Sequence, residues 1–170
     1  MESMRSALKA ALFAAAILAS PAVMSSAAQA EPPLPLSKGQ TLYVPVYSHI
    51  SHGNLDGRSK PSELLLSSML SLRNADPSHP ITIRAARYYD TDGKMLRDYL
   101  TKPLTLAPMG SSELFVEHRD KSGGSGANFV VEWTSDRPVN PPVIETVNAY
   151  FFGTQSVAFT SPGRPISPNP

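Results

Sequence analysis

The sequence predicts an all-β domain, an immunoglobulin-like antiparallel β-sandwich, with a small closed β-barrel as the alternative. Short apolar segments that alternate with polar residues recur along the chain. Segments rich in Gly, Pro, Asn and Asp separate them, and no sustained helical periodicity follows the first thirty residues. Eight or nine short strands that each bury one face are expected to stack as two packed sheets.

The first thirty residues have the features of a cleaved export signal. Arg5 and Lys9 precede an uninterrupted apolar run at 10–19, and a small-x-small pattern, Ala-Gln-Ala, ends at Ala30. The run is too short to span a bilayer, which takes about 20 residues. We therefore expect cleavage between Ala30 and Glu31, and a mature domain that is periplasmic or secreted and has no membrane anchor.

The composition excludes several kinds of chemistry. Of the 15 basic and 14 acidic residues, two and one lie in the first thirty, so the mature chain carries 13 of each and is neutral. A neutral domain has no basic excess that would attract nucleic acid. The chain has no cysteine, which excludes a thiolate nucleophile, a thiolate metal site and a lipid-modified cysteine. No cofactor is expected.

A proline-rich segment at 31–40 is expected to form an extended leader before the β-domain, which is predicted to span 41–161. The first strand of that domain is predicted at 41–50. Its internal Pro45 removes a donor from the hydrogen-bond ladder, so the strand is expected to lie at a sheet edge or to contain a bulge.

The middle of the chain alternates between turn signals and apolar segments. Residues 51–62 are predicted as a loop. The apolar segment 64–74 is predicted as a strand, with a short helix at 62–69 as the alternative. The segment 81–89 is rich in β-branched and aromatic residues and is predicted as a strand that turns at 90–93.

The last third of the chain continues the same pattern. A glycine-rich loop is predicted at 119–127, a break at 137–142 and a disordered tail at 162–170. Trp133 is expected at the centre of the core. The remaining strands are predicted at 94–100, 104–106, 113–118, 128–134, 143–152 and 156–160.

Six segments of the chain are distinctive when they are taken together. They are LYVPVYSHI (42–50), LSLRNADPSHPI (70–81), YYDTDGK (88–94), LTLAP (104–108), SGGSGANFVVEW (122–133) and RPVNPPVIE (137–145). Together they resemble a bacterial family of exported proteins that is catalogued as domain of unknown function 3124. The resemblance covers almost all of the mature chain, from about Leu42 to Arg164, and it implies no activity.

One close pair of histidines suggests a transition-metal site. His49 and His52 lie three residues apart, and Asp56 follows as a possible oxygen ligand. Residues three apart on a strand point to opposite faces, so both rings reach one ion only if the chain turns near Ile50. We therefore expect no tight metal site, and a periplasmic metal-binding protein is kept as an alternative function.

The loop Ser122-Gly123-Gly124-Ser125-Gly126 lacks the context of a catalytic or phosphate-binding loop. A nucleophile elbow needs Gly-x-Ser-x-Gly before a helix, whereas Ala127 takes the last position here and a strand follows. The Gly-Lys-Ser/Thr ending of a phosphate loop is also missing. A flexible loop whose exposed amides contact a partner is the favoured interpretation.

The favoured function is therefore non-catalytic binding of an envelope protein or polymer. Tyr43, Tyr47 and His49 are predicted to share one face of the proline-bearing strand, where tyrosines provide apolar area with a polar tip. The loop at 122–126 is the second predicted contact. A hydrolase is the weakest alternative, because the sequence offers no nucleophile paired with a base.

Overall fold

The computed structural model describes residues 34–168, so the predicted signal at 1–30 lies outside the described residues. Between residues 34 and 168 every regular element is a β-strand, and no helix in that range could cross a membrane. The strands in chain order are β1 Ser37–Pro45, β2 His49–His52, β3 Ser62–Leu65, β4 Ser67–Arg73, β5 Ile81–Tyr89, β6 Met95–Asp98, β7 Leu104–Leu106, β8 Ser111–Val116, β9 Asn128–Val139, β10 Val143–Phe152, β11 Gln155–Pro162 and β12 Arg164–Pro168.

The strands form two larger antiparallel sheets and a small hairpin. The first sheet has the order β12-β1-β9-β5-β6, and β7 also pairs with β5. The second sheet has the order β11-β10-β4-β8, and β2 pairs with β3. The all-β prediction is therefore confirmed. The alternative of a closed barrel is wrong, since neither larger sheet closes on itself.

A single hydrophobic core joins the inner faces of the two larger sheets. Trp133 and Phe129 on β9 are fully buried, and Leu70 and Leu72 on β4 of the second sheet belong to the same cluster. This is the core centre that the alternation of the sequence predicts. Two sheets that share one core are consistent with a β-sandwich.

Several strands follow the prediction closely. The predicted strands at 81–89, 104–106 and 143–152 are β5, β7 and β10. The alternative of a helix at 62–69 is wrong, because β3 and β4 occupy that segment. β4 pairs with both β8 and β10, so its backbone hydrogen bonds are made across the sheet and not along a helix.

The first strand is shifted relative to the predicted range 41–50. β1 begins at Ser37, inside the predicted leader, and ends at Pro45. It is not an edge strand, because β9 and β12 flank it, and its pairing with β12 shifts between Thr41 and Leu42. Pro45 lies beyond the part of β1 that pairs with β12, so its missing N–H interrupts no hydrogen bond on that side.

Two segments predicted to be irregular are strands in the structure. β9 continues through Arg137 and Pro138 to Val139, which pairs with Ser37 of β1 after a register shift. The tail predicted as disordered from residue 162 forms β12 at Arg164–Pro168, which satisfies backbone groups of β1. Both pairings join residues that are far apart in the sequence, so local composition does not reveal them.

A buried amide connects the end of β1 to the second sheet. Asn148 of β10 is fully buried, and its Oδ1 accepts hydrogen bonds from Ser68 Oγ (2.7 Å) and from the Tyr47 N–H (3.3 Å). Its Nδ2 donates to Thr146 Oγ1 (3.2 Å) and to Ser161 Oγ (3.3 Å). All polar atoms of this side chain therefore have partners, as a buried amide requires.

Replacement of Trp133 by alanine should lower the free energy of unfolding by about 3–5 kcal/mol, because it leaves a large cavity between the sheets. Val130→Ala on the opposite, half-exposed face of β9 is the matched control and should cost far less. Urea unfolding followed by circular dichroism measures both. Equal losses in the two variants would contradict a core centred on Trp133.

Candidate functional site

The glycine-rich loop at 122–126 is held by its neighbours. The Gly123 carbonyl accepts hydrogen bonds from the Thr91 N–H (2.9 Å) and from Thr91 Oγ1 (3.0 Å). The Gly126 N–H donates to the same hydroxyl (3.1 Å), and the Ser48 N–H donates to the Gly124 carbonyl (3.1 Å). These internal bonds hold three backbone groups of the loop, and a contact between the loop and a partner stays a prediction.

Gly123 is required by its close approach to the core. A Cβ added at Gly123 would overlap Tyr88 Oη and lie 2.7 Å from the Ala127 Cβ. Tyr88 is itself 1% exposed and packs against Phe129 at 5.1 Å between ring centroids. Burial raises the pKa of the Tyr88 hydroxyl. The glycine therefore serves packing, which accounts for this part of the distinctive SGGSGANFVVEW segment.

The residues predicted to share a binding face are separated in the structure. Tyr43 lies on β1 with 37% of its surface exposed. Tyr47 lies after the end of β1, where its ring packs edge-on against Phe159 of the second sheet at 5.5 Å. His49 lies on β2, and its Nε2 is 3.8 Å from Glu63 Oε1. The alternation of burial continues to Ser48 and leaves all three at its less buried positions, but β1 ends at Pro45, so they lie on different elements.

The predicted metal ligands do not converge. His49 and His52 occupy the two ends of β2, and pair with Leu65 and Ser62 of β3. Asp56 is used in the following turn, where its Oδ1 accepts hydrogen bonds from the Arg58 N–H (2.7 Å) and the Lys60 N–H (3.0 Å). The Lys60 bond and then the Arg58 bond lower the pKa of Asp56. Within residues 34–168, no three His, Asp or Glu side chains are placed to hold a metal ion.

Sequence reasoning missed a buried carboxylate that organises the turn after β4. Asp76 Oδ1 accepts hydrogen bonds from the Ser78 N–H and the His79 N–H, both at 2.9 Å. Asp76 Oδ2 accepts a bond from the Asn140 N–H at 3.0 Å, from the connection between β9 and β10. These bonds, with the Asn140 bond largest, lower the pKa of Asp76 to about 2. The Asn-x-Asp-Pro sequence indicates a turn but not this distant partner.

A second feature missed from the sequence is the tip of the hairpin formed by β10 and β11. Phe151 and Phe152 are each 74% exposed and immediately precede the turn at Gly153-Thr154. Cavities of about 290 Å³ and 340 Å³ adjoin this tip, and Tyr150 lines both of them. We name Tyr150, Phe151 and Phe152 the aromatic tip. An apolar strand end was predicted here, but exposure depends on how far the hairpin extends past its neighbours.

The aromatic tip is bordered by polar groups on both sides. His118 and Ser67 line the smaller cavity, and the His118 ring lies 5.9 Å from the Tyr150 ring. His52 and Gln155 line the larger one, next to the β2–β3 hairpin. The site therefore combines exposed aromatic area with a few hydrogen-bonding groups, which is the composition of a contact surface.

Comparison with known proteins identifies a family. The family model described as Protein of unknown function (DUF3124) matches residues 39–166. The chain belongs to this family. The match includes all the strands from β2 to β11, and so includes the aromatic tip of this DUF3124 domain. No curated protein matches the chain. A crystal structure of Thermotoga maritima 1070 is similar at 13% identity and a TM-score of 0.37, over 74% of this chain and 92% of that one.

Gly123→Ala should lower the free energy of unfolding by about 1–3 kcal/mol, because the new methyl group overlaps the buried Tyr88 hydroxyl. Gly57→Ala is the matched control, since a Cβ at Gly57 meets nothing within 4 Å. Chemical denaturation compares the two variants. A Gly123 variant as stable as the Gly57 variant would show that the loop moves away from Tyr88 freely.

The stability of the domain should fall at acid pH in a way that depends on Asp76. Its pKa is about 2 in the folded state against 3.8 ordinarily, so the ionised form contributes stability above pH 3.8 that is lost as the pH falls towards 2. Asp76→Asn should be less stable near neutral pH and should lose less on acidification. Denaturation series at several pH values measure this, and parallel curves for both proteins would contradict it.

Proposed function

We propose that this DUF3124 domain is a non-catalytic binding module of exported proteins that contacts an envelope protein or polymer through the aromatic tip. The observation that carries the proposal is the 74% exposure of both Phe151 and Phe152 beside each other on one turn. Adjacent exposed phenylalanines cost hydrophobic free energy in water. Exposed aromatic residues at one hairpin end are typical of interaction sites.

The hairpin presents these side chains on a well-paired support. β10 and β11 pair without a shift from Glu145↔Pro162 to Phe152↔Gln155. Gly153 has φ of +56° and is the first residue of the two-residue turn, as a type II′ turn requires. A regular hairpin loses little conformational freedom on binding, so the aromatic area contributes more of its burial to affinity.

The charge pattern of the hairpin also favours a contact role. No charged residue occurs between Glu145 and Arg164. At the chain's charged fraction of 17%, a stretch of this length would hold about three charged residues. Depletion of charge with enrichment of aromatic residues is typical of the centre of interfaces.

Export and an immunoglobulin-like architecture are further parts of the proposal. The basic start, the apolar run at 10–19 and the Ala30 site support delivery beyond the inner membrane. Two antiparallel sheets on one core support a sandwich that uses the hairpins at its ends for contact, as immunoglobulin-like domains do.

Photo-crosslinking in the native cell tests this function. A photoreactive amino acid at Phe152 should give a discrete adduct with another envelope component, whereas the same group at the exposed Thr105 on β7 should not. The protein that forms the adduct should begin at Glu31. The double variant Phe151→Ser, Phe152→Ser should unfold like the wild type and be unable to compete for the partner.

Two results would contradict the proposal. The first is the same background crosslinking from Phe152 and Thr105 in a folded protein. The second is a protein that stays in the cytoplasm with residues 1–30 intact.

A further inference from the structure

We propose that the outer edge of β11 pairs with the same edge of a second copy of this chain, which joins the two four-stranded sheets into one continuous sheet. The inference goes beyond the proposed function, because it rests on the backbone of β11 and not on an envelope partner. Three features of this strand carry it: its open edge, its lack of charge and its register.

The outer edge of β11 is open in the described part of the chain. β11 is the last strand of its sheet and pairs only with β10. It is eight residues long, pairs without a bulge and contains no charged residue. Natural proteins usually protect such an edge with charge, proline or a bulge, because its free backbone groups attract another strand.

The other outer strands of the two larger sheets carry these protections. β12 contains Pro165 and Pro168 within five residues. β8 carries Glu113, and β6 carries Arg97 and Asp98 in only four residues. β7 has only three residues. β11 has a proline only at its last position. The contrast points to β11 as the edge that is kept open.

The turn of the hairpin fixes which backbone groups face outwards. In a two-residue type II′ hairpin the closing pair, here Phe152↔Gln155, exchanges both hydrogen bonds. Because hydrogen-bonded pairs alternate along an antiparallel ladder, the N–H and C=O groups of Ser156, Ala158 and Thr160 point away from β10. These three residues form an evenly spaced row of free donors and acceptors.

A two-fold axis through Ala158 satisfies the whole row. Ala158 then faces Ala158 of the second copy, and Ser156 faces Thr160 twice, which gives about six new hydrogen bonds with no outward group of the row left over. The side chains of these residues are small and exposed, so they do not obstruct the approach. This self-complementarity favours a second copy over an unrelated strand.

The same register leaves Phe151 exposed. Phe151 pairs with Ser156, and Thr160 pairs with Val147. One row of side chains runs across the outer face of the joined sheet. It contains Phe151 and Ser156 of one copy, followed by Thr160 and Val147 of the second copy. Val147 of the second copy lies three strands away from Phe151, at about 4.8 Å per strand. The pairing therefore leaves Phe151 as well as Phe152 available to an envelope partner.

Disulfide trapping in the purified mature protein tests this pairing. The chain has no cysteine, so Ala158→Cys introduces a single thiol. In a hydrogen-bonded antiparallel pair the two Cα atoms lie about 5.5 Å apart, within the range of a disulfide. Ser111→Cys on β8, the opposite edge of the same sheet, is the matched control. We expect rapid covalent dimer formation by the Ala158 variant and at least tenfold slower formation by the Ser111 variant.

Sedimentation equilibrium then separates self-pairing from adventitious crosslinking. Ala158→Pro removes an outward N–H and leaves the bonds to β10 intact, and Thr160→Lys places a charge on the edge without altering the backbone. Each should weaken dimerisation of the otherwise unaltered protein at least tenfold, with unfolding curves close to that of the wild type. If Ala158→Pro does not fold, the dimerisation of Thr160→Lys alone tests the pairing.

The proposal is overturned if the wild-type domain stays monomeric up to about 100 µM, or if the two cysteine variants crosslink at equal rates. It is also overturned if both edge variants dimerise as the wild type does. These measurements use purified protein without an envelope component. Their failure therefore leaves the aromatic-tip function standing, and failure of the crosslinking at Phe152 leaves the self-pairing standing.

Discussion

The buried amide of Asn148 is the interaction on which the connection between the two sheets depends. After Pro45 the Val46 N–H still bonds to the Ala127 carbonyl before β9 (2.9 Å), whereas the Pro45 carbonyl and the Tyr47 N–H face β10 of the second sheet and would otherwise be unpaired. Asn148 accepts from the Tyr47 N–H, Ser68 Oγ lies 3.4 Å from the Tyr47 carbonyl, and Thr146 Oγ1 donates to the Pro45 carbonyl at 2.6 Å. An unsatisfied buried polar group costs about 1–3 kcal/mol. The inward polar residues of β10 and β4 therefore replace apolar core at the place where the chain crosses.

This crossing also determines the shape of the adjacent loop. The next residue, Ser48, donates its N–H to the Gly124 carbonyl, and its own carbonyl accepts a hydrogen bond from the Leu66 N–H at 2.9 Å. Ser48 therefore connects the glycine-rich loop to the residue that precedes β4. The loop then has only the space beside Tyr88, which is why a residue without a side chain is needed at Gly123. A glycine cluster that resembles a ligand-binding loop in the sequence is thus a consequence of packing between the two sheets.

The parts of the fold that the sequence predicts are those governed by local alternation. Trp133 belongs to a segment whose buried and half-buried residues alternate as expected, and 81–89 is one strand because β-branched and aromatic residues suit a half-buried pleat. The sequence-based predictions fail where a partner far away in the sequence determines the local structure. The chain around Tyr47 keeps its alternating composition, yet β1 ends at Pro45, and the Tyr47 N–H donates to Asn148, about a hundred residues away. In the same way, the proline-rich segment Arg164–Pro168 forms β12 because it pairs with β1. The candidate site shows the same limit. The sequence predicts that Tyr43 and Tyr47 share one strand, but Tyr47 lies beyond the end of β1. The sequence pattern also does not separate the exposed Phe151 and Phe152 from core residues.

The contrast between the interior and one end of the molecule is the strongest argument for function. The polar groups of Asn148 and Asp76 are satisfied by several partners each, and the glycine-rich loop is bonded to its neighbours. Against this background, the β10–β11 hairpin keeps two exposed phenylalanines and an unguarded edge. Selection for folding alone would favour polar residues at such a tip and a charge on such an edge. The exposed aromatic residues and the open strand edge both lie on this one hairpin, where the aromatic tip and the backbone of β11 face different directions. One hairpin can therefore bind an envelope component at its end while its side pairs with a second copy, because the two contacts use different atoms.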